Sequence, residues 1–149
     1  MNLSQLIFLI LISVVFALLE VQIEGTGSWA KNLPTWRINN PFKKYLAWPT
    51  LIDGYHLYLW MFLILMFHLP YAFGIPFSKV TELTIIEMLL IVLFLEDFLW
   101  FVFNPAWGIK KFFSEEIPWH GKRFLFLPQN YWLSFAILAV FEIIKNKFI

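Results

Sequence analysis

Four long apolar segments constrain the fold of this chain more than any other feature of its sequence. They cover residues 3–23, 54–73, 80–103 and 131–147. A membrane-spanning helix needs about 20 mostly apolar residues, and each segment is close to that length. The segments show neither the alternation of a half-buried strand nor the polar stripe of a surface helix. We therefore predict four membrane-spanning helices.

The composition agrees with a lipid environment. Of the 149 residues, 60% are hydrophobic and 14% are charged, whereas a soluble domain is about 45–50% apolar and about 25% charged. A chain of this length has too small an interior to bury that excess. We therefore expect a single all-α domain over residues 1–149, an integral membrane four-helix bundle whose loops are aromatic and interfacial or contain short helices.

Two further features refine this prediction. The chain has no cysteine, which excludes disulfides, thiolate metal ligands and thiol catalysis. The first segment lacks the basic start and the clear cleavage site of a signal peptide, so we expect it to remain as the first span. At the segment ends, Asp53 is predicted to cap the second helix and Asn104, which precedes a proline, to end the third.

The distribution of charge predicts the orientation in the cell membrane. With four spans, both termini lie on one side and the two long loops lie on the other. The loops carry eight of the eleven cations, namely Lys31, Arg37, Lys43, Lys44, Lys110, Lys111, Lys122 and Arg123. Cytoplasmic loops are enriched in Lys and Arg, so we expect a multi-pass protein with both termini outside. Six of the eight tryptophans also lie at this cytoplasmic boundary, namely Trp29, Trp36, Trp48, Trp107, Trp119 and Trp132.

Two adjacent acids, Glu96 and Asp97, interrupt the third apolar segment. A charged side chain in the middle of a bilayer costs about 2.5–3.5 kcal/mol, so such residues usually turn inward and pair. Neighbouring helical positions differ by about 100°, so one acid is expected to ligate or catalyse while the other meets Arg37 or a tryptophan N–H. Other polar residues are predicted at a similar depth, namely Glu20, Glu24, His56, Asn104 and His120.

These residue types favour a metal site. Carboxylate and imidazole groups suit Zn, Fe or Mn, and in helical bundles such ligands project inward from facing helices. The predicted ligands of a divalent metal are Glu20, Glu24, His56, Glu96 and His120. Asp97 is then the candidate general base or orienting group, and Arg37 is expected to position an anionic group of the substrate.

The predicted function is that of a metal-dependent membrane enzyme. It would be a hydrolase, transferase or oxidase that acts on a lipid or isoprenoid-type amphiphile at the cytoplasmic leaflet. Membrane lipids are the expected partners, nucleic acid is not expected, and the sequence leaves a homo-oligomer open.

Three alternatives remain open from the sequence. The buried Glu and His residues could form a proton relay or a proton-coupled transporter. They could instead be helix staples in a structural or partner-binding membrane protein. Axial ligation of a haem by His56 and His120 is a weaker alternative, because no haem attachment motif is present.

A second polar group is predicted at the opposite end of the bundle. It consists of His68, Glu87 and Glu142. The simplest expectation is a His–Glu hydrogen bond that joins two helices.

Overall fold

The computed structural model describes residues 1–41, 51–115, 117, 119–120 and 122–148. This part of the chain is mostly helical, as the sequence predicts. The helices are α1 (Leu3–Glu24), α2 (Gly54–Phe67), α3 (Leu69–Ala72), α4 (Lys79–Phe103), α5 (Gly108–Phe112) and α6 (Gln129–Lys145). Three residues of the predicted cytoplasmic surface, Lys43, Lys44 and Trp48, lie outside the described ranges.

The helix lengths identify one candidate membrane span rather than four. In the described part of the chain, α1 alone is both long and apolar enough to cross a membrane. The predicted second span is divided, because α2 has 14 residues and Pro70 opens the separate helix α3. Helix α6 has 17 residues. Helix α4 has 25 residues but includes four acids, Glu82, Glu87, Glu96 and Asp97. The four-span bundle is therefore not confirmed by length and composition.

Helix α4 is the element against which the other helices pack. It contacts α1 most extensively and also contacts α2, α5 and α6. Two apolar clusters lie along it. One surrounds Trp100 and Phe101 and includes Phe112 and Tyr131. The other surrounds Val92 and the more N-terminal part of the helix. This packing turns one face of α4 inward, with Glu96 at 7% exposure.

Two small antiparallel ribbons replace part of the predicted loops. Strand β1 (Arg37–Asn39) pairs with β2 (Leu51–Asp53), and β3 (Arg123–Phe124) pairs with β4 (Leu127–Pro128). The aromatic composition predicts interfacial loops, as ordered turns or short helices, at these places. Strands of two or three residues are too short to show a period of two, which explains why the pattern did not reveal them.

The first ribbon leads directly into α2 and fixes its start. The side chain of Asp53 caps the helix, because it accepts a hydrogen bond from the His56 N–H. A Cβ atom on Gly54 would lie 2.5 Å from Trp36 Nε1, so only glycine permits this close approach of ribbon and helix. Asn104 ends α4, and its Nδ2 donates to Gly25 O at 2.9 Å. Both predicted helix boundaries are confirmed.

Candidate functional site

A cavity with a volume of about 310 Å³ lies beside α4, on the side that carries the ribbons. The structure brings six of the predicted site residues to its lining, namely Glu20, Glu24, His56, Glu96, Asp97 and His120. Five of these six side chains are buried, and the Asp97 side chain is 26% exposed. Acids and imidazoles from α1, α2, α4 and the second loop therefore share one chamber.

Asp53 orients His56 at the edge of this cavity. Its Oδ2 lies 2.7 Å from His56 Nδ1, while its Oδ1 accepts the His56 backbone N–H at 3.0 Å. An ionised carboxylate only accepts hydrogen bonds, so the proton of a neutral imidazole lies on Nδ1. Nε2 then presents its lone pair to the cavity, 3.6 Å from Glu24 Oε1. This arrangement prepares His56 to act as a general base.

Glu20 and Glu96 also line the cavity. Each carboxyl group is near enough to the other to act on it electrostatically, and both residues are less than 10% exposed. The Tyr55 hydroxyl donates to Glu20, at 3.3 Å. Two neighbouring buried carboxyl groups disfavour double ionisation, so we expect one of them to hold a proton. The pair can therefore act as a proton donor.

Asp97 is occupied by three hydrogen-bond donors. The Tyr131 hydroxyl lies at 2.5 Å, His120 Nε2 at 3.0 Å and Trp119 Nε1 at 3.3 Å. One of the two adjacent acids was predicted to meet Arg37 or a tryptophan N–H, and Asp97, the acid proposed as a general base, is the one that accepts the Trp119 N–H. These hydrogen bonds connect α6 and the second loop to α4. Because both Asp97 oxygens already accept hydrogen bonds, Asp97 is poorly placed to abstract a proton.

His120 is held from both sides. Arg123 lies 3.2 Å from His120 Nδ1, and a guanidinium can only donate, so Nδ1 accepts and Nε2 carries the proton that goes to Asp97. Burial lowers the pKa of Arg123, but it stays charged at neutral pH. The guanidinium also donates to Phe112 O. His120 is therefore a positioned side chain and not the surface residue that its basic loop suggests.

Arg37 is not among the residues that line the cavity. Its guanidinium donates to four carbonyls of the first loop, those of Ala30, Lys31, Leu33 and Thr35. Ala30 N in turn donates to Glu24 Oε1 at 2.5 Å. Arg37 thus stabilises the loop that holds Glu24. Its predicted role in positioning an anionic group finds no support in this placement.

The five predicted metal ligands share the cavity but do not converge on a point. In the described ranges there is no group of three or more metal-ligating side chains arranged to hold an ion. His56 Nδ1 and His120 Nε2 are each directed at an aspartate. The arrangement of the described residues therefore gives no support to a metal site. Ligation of a divalent metal by Glu20, Glu24, His56, Glu96 and His120 stays a prediction.

Metal addition tests that prediction. We expect Zn, Mn or Fe to leave the melting temperature of the purified protein within about one degree of the metal-free value, because a ligand stabilises only through a site it binds tightly. Elemental analysis of the same sample should then find no stoichiometric transition metal. A rise of several degrees that disappears in Glu96→Gln but persists in Glu87→Gln would instead establish the metal site.

The second predicted polar group, His68 with Glu87 and Glu142, forms two separate clusters in the structure. His68 Nε2 lies 3.2 Å from Glu82 Oε1, and Tyr71 donates to the same carboxylate at 2.9 Å. Glu87 instead pairs with Lys145, which also meets Glu142 Oε1 at 2.8 Å. A His–Glu bond does connect the end of α2 to α4, but through Glu82, because α2 ends at Phe67 and His68 lies outside the helix.

Several residues at the site were not predicted to belong to it, among them Asp53, Tyr131 and the tryptophans of the lining. Asp53 was expected only as a helix cap, and its spacing of three from His56 is the signal that could have revealed the pair. Trp29, Trp60, Trp100 and Tyr131 also line the cavity, although tryptophans near a predicted boundary suggest interfacial anchors. No family model, curated protein or solved structure matches this chain.

Proposed function

We propose that this chain is a multi-pass membrane protein in which α1, α2 with α3, α4 and α6 lie in the bilayer. Its distribution of side chains supports this. On α1, Leu11, Val15 and Leu19 are exposed, whereas Glu20 and Glu24 are buried. Exposed large apolar side chains recur on α2 and α6, among them Phe62, Leu65, Leu133 and Ile143. Apolar surface of this extent is unfavourable in water and is expected in lipid.

The orientation follows from charge. The cations that the sequence places in the two long loops indicate that the cavity opens toward the cytoplasmic leaflet, with both termini outside. A substrate would then enter from the membrane or from its cytoplasmic surface. Leu90, Leu93 and Phe94 of α4 line the cavity beside the acids, so the chamber suits an amphiphile with a hydrocarbon part.

The proposed function is that of a membrane enzyme that transfers protons on a lipid or isoprenoid-type amphiphile. One observation supports it above the others: an oriented imidazole and two neighbouring buried carboxyl groups line the same cavity. His56, held by Asp53, would present Nε2 as the base, and Glu20 with Glu96 would supply the proton. Pairs of titratable groups kept in different protonation states are typical of acid–base active sites.

The proposed reaction needs no co-reactant. His56 Nε2 takes a proton from one carbon of the substrate as that C–H bond breaks, and the Glu20–Glu96 pair delivers a proton to another carbon. The net change is the shift of a double bond. Glu24 is 3.6 Å from His56 Nε2 and, four residues after Glu20, shares a face of α1 with it. It can return the proton from the base to the acid pair.

A proton relay across the molecule is less well supported. The next acid along α4, Glu87, is separated from Glu96 by the apolar run MLLIVLFL, which spans about 12 Å at 1.5 Å per residue. Glu87 is also engaged by Lys145. The two polar ends of α4 are therefore better explained as one reaction chamber and one ion-pair cluster.

Deuterium incorporation tests the proposed function. The protein in lipid nanodiscs is equilibrated in D₂O and supplied with a total membrane lipid extract, and mass spectrometry follows carbon-bound deuterium. Because His56 and the acid pair would exchange their protons with solvent, we expect one lipid species to gain deuterium with the wild type. We expect no gain with His56→Asn or Glu96→Gln.

Two matched variants serve as controls. His68→Asn and Glu82→Gln make the same chemical changes at the opposite end of the molecule, at more exposed side chains, and both should incorporate deuterium at the wild-type rate. Equal incorporation by all variants, or none by the folded wild type with lipid extracts from several sources, would overturn the proposal.

A further inference from the structure

The cavity has a strongly one-sided charge distribution. Its described lining includes four carboxyl side chains, Glu20, Glu24, Glu96 and Asp97, but no Lys or Arg. The two lining histidines are each directed at an aspartate. Arg37 donates to backbone carbonyls, and Arg123 donates to backbone carbonyls and to Nδ1 of the lining residue His120, so neither guanidinium is among the lining groups. A buried site of this kind favours a positively charged ligand and would penalise the anionic group that the sequence analysis expected.

Four indole rings line the same space. The centroid of Trp29 lies 6.3 Å from that of Trp60 and 6.0 Å from that of Trp119. Trp119 is in turn 6.1 Å from Trp100, and all four rings line the cavity. Tryptophan offers the best aromatic face for a cation, and cages of such rings recognise quaternary ammonium groups. The rings therefore point to an organic cation and not to a metal ion.

Two buried polar atoms in the lining have no partner within the described structure. They are Glu96 Oε1 and Trp100 Nε1, and their residues are 7% and 4% exposed. Buried polar atoms are nearly always satisfied, so an acceptor and a donor left open on one cavity wall indicate a missing ligand. Glu96 Oε1 would face the positive charge, and the Trp100 N–H would donate to an oxygen close to it.

We infer that the cavity binds an amphiphile whose head carries a quaternary or protonated tertiary ammonium group. The inference rests on the proposed function and names the substrate class of the same site. The ammonium group lies among Trp29, Trp60, Trp100 and Trp119, next to the Glu96 carboxyl group. The apolar side chains of α4 receive the hydrocarbon part.

Binding of two matched probes tests this inference. Benzyltrimethylammonium carries the cation, and neopentylbenzene has the same shape with carbon in place of nitrogen. We expect calorimetry on the wild type in nanodiscs to give the cation at least about tenfold tighter binding, the ratio expected when a desolvated cation meets aromatic faces. The comparison uses unmodified protein, so it does not depend on any variant folding. Equal affinity for the two probes would overturn the inference.

Variants locate the site. Glu96→Gln and Trp60→Leu should each weaken binding of the ammonium probe about five- to tenfold and change binding of the neutral probe less than about twofold. Glu82→Gln on the same helix and Trp132→Leu outside the cavity should leave both affinities unchanged. Ammonium binding that survives Glu96→Gln and Trp60→Leu would place the cation elsewhere and overturn the assignment.

The two proposals fail in different ways. If the ammonium probe shows no preference while the wild type still incorporates deuterium, the inference is wrong and the proposed enzyme acts on a neutral substrate. If the ammonium probe binds and no lipid gains deuterium, the ligand class stands and the catalytic proposal is wrong.

Discussion

Asp53→Asn is expected to lower the rate of deuterium incorporation by about three to four orders of magnitude, the effect of losing the carboxylate that sets the tautomer of a catalytic histidine. The asparagine amide would donate to His56 Nδ1, because its oxygen is still needed by the His56 N–H. The ring proton then moves to Nε2, and no lone pair faces the cavity. Initial rates of carbon-bound deuterium formation give the measurement.

The same substitution should change stability little. Asn caps helices about as well as Asp, so α2 keeps its N-cap. Glu82→Gln is the matched control, because it alters the other His–carboxylate pair, at His68, far from the cavity. A fall in rate in Asp53→Asn that merely follows a fall in melting temperature would show that Asp53 has a structural role only.

Lys145→Met is expected to lower the free energy of unfolding by about 3–5 kcal/mol, the usual effect of breaking a buried ion pair by removing one partner. The side chains of Lys145 and Glu87 are 10% and 9% exposed. Without the ammonium group, the Glu87 carboxylate is left buried and uncompensated, with Glu142 as a second negative charge nearby. Denaturant unfolding of the detergent-solubilised protein gives the measurement.

A double variant separates the ion pair from simple packing. Glu87→Gln combined with Lys145→Met removes both charges, so we expect it to recover more than half of the lost stability. A double variant no more stable than Lys145→Met alone would show that the ion pair does not explain the loss. Neither variant should alter the relative affinity for the two cavity probes.

The depth at which each residue lies in the predicted bundle was enough to predict which acids and imidazoles line the same cavity. Glu20 and Glu96 lie toward the C-terminal ends of α1 and α4, and His56 lies at the N-terminal start of α2, so the alternating directions of the predicted spans put all three at one depth. Hydrocarbon penalises each of them alone. Their exact partners were not predictable, because partners depend on how the helices are rotated and shifted relative to one another. Tyr131 illustrates this: its hydroxyl reaches Asp97 only because α6 packs on α4 in one particular register.

Local structure explains the remaining differences. The break after Phe67 moves His68 away from Glu87 and toward Glu82, and hydropathy alone does not reveal such a break. The first ribbon turns Asp53 from a simple cap into the partner of His56. The tryptophans resemble interfacial anchors in sequence, yet Trp29 stacks on His56 with ring centroids 4.0 Å apart. Aromatic residues near a membrane surface serve either role, and only their packing decides between them.

The proposed site requires the Glu20 and Glu96 side chains to face one another inside a shared chamber. The chain has no native cysteine, so the double variant Glu20→Cys/Glu96→Cys can be treated in membranes with the short cross-linker ethanediyl bismethanethiosulfonate. Leu19→Cys/Leu95→Cys is the control, because each position is rotated by about 100° around its helix. We predict an intramolecular cross-link in the first pair and none in the second. A cross-link in the control pair alone, with both test cysteines reactive toward a monofunctional reagent, would contradict the chamber.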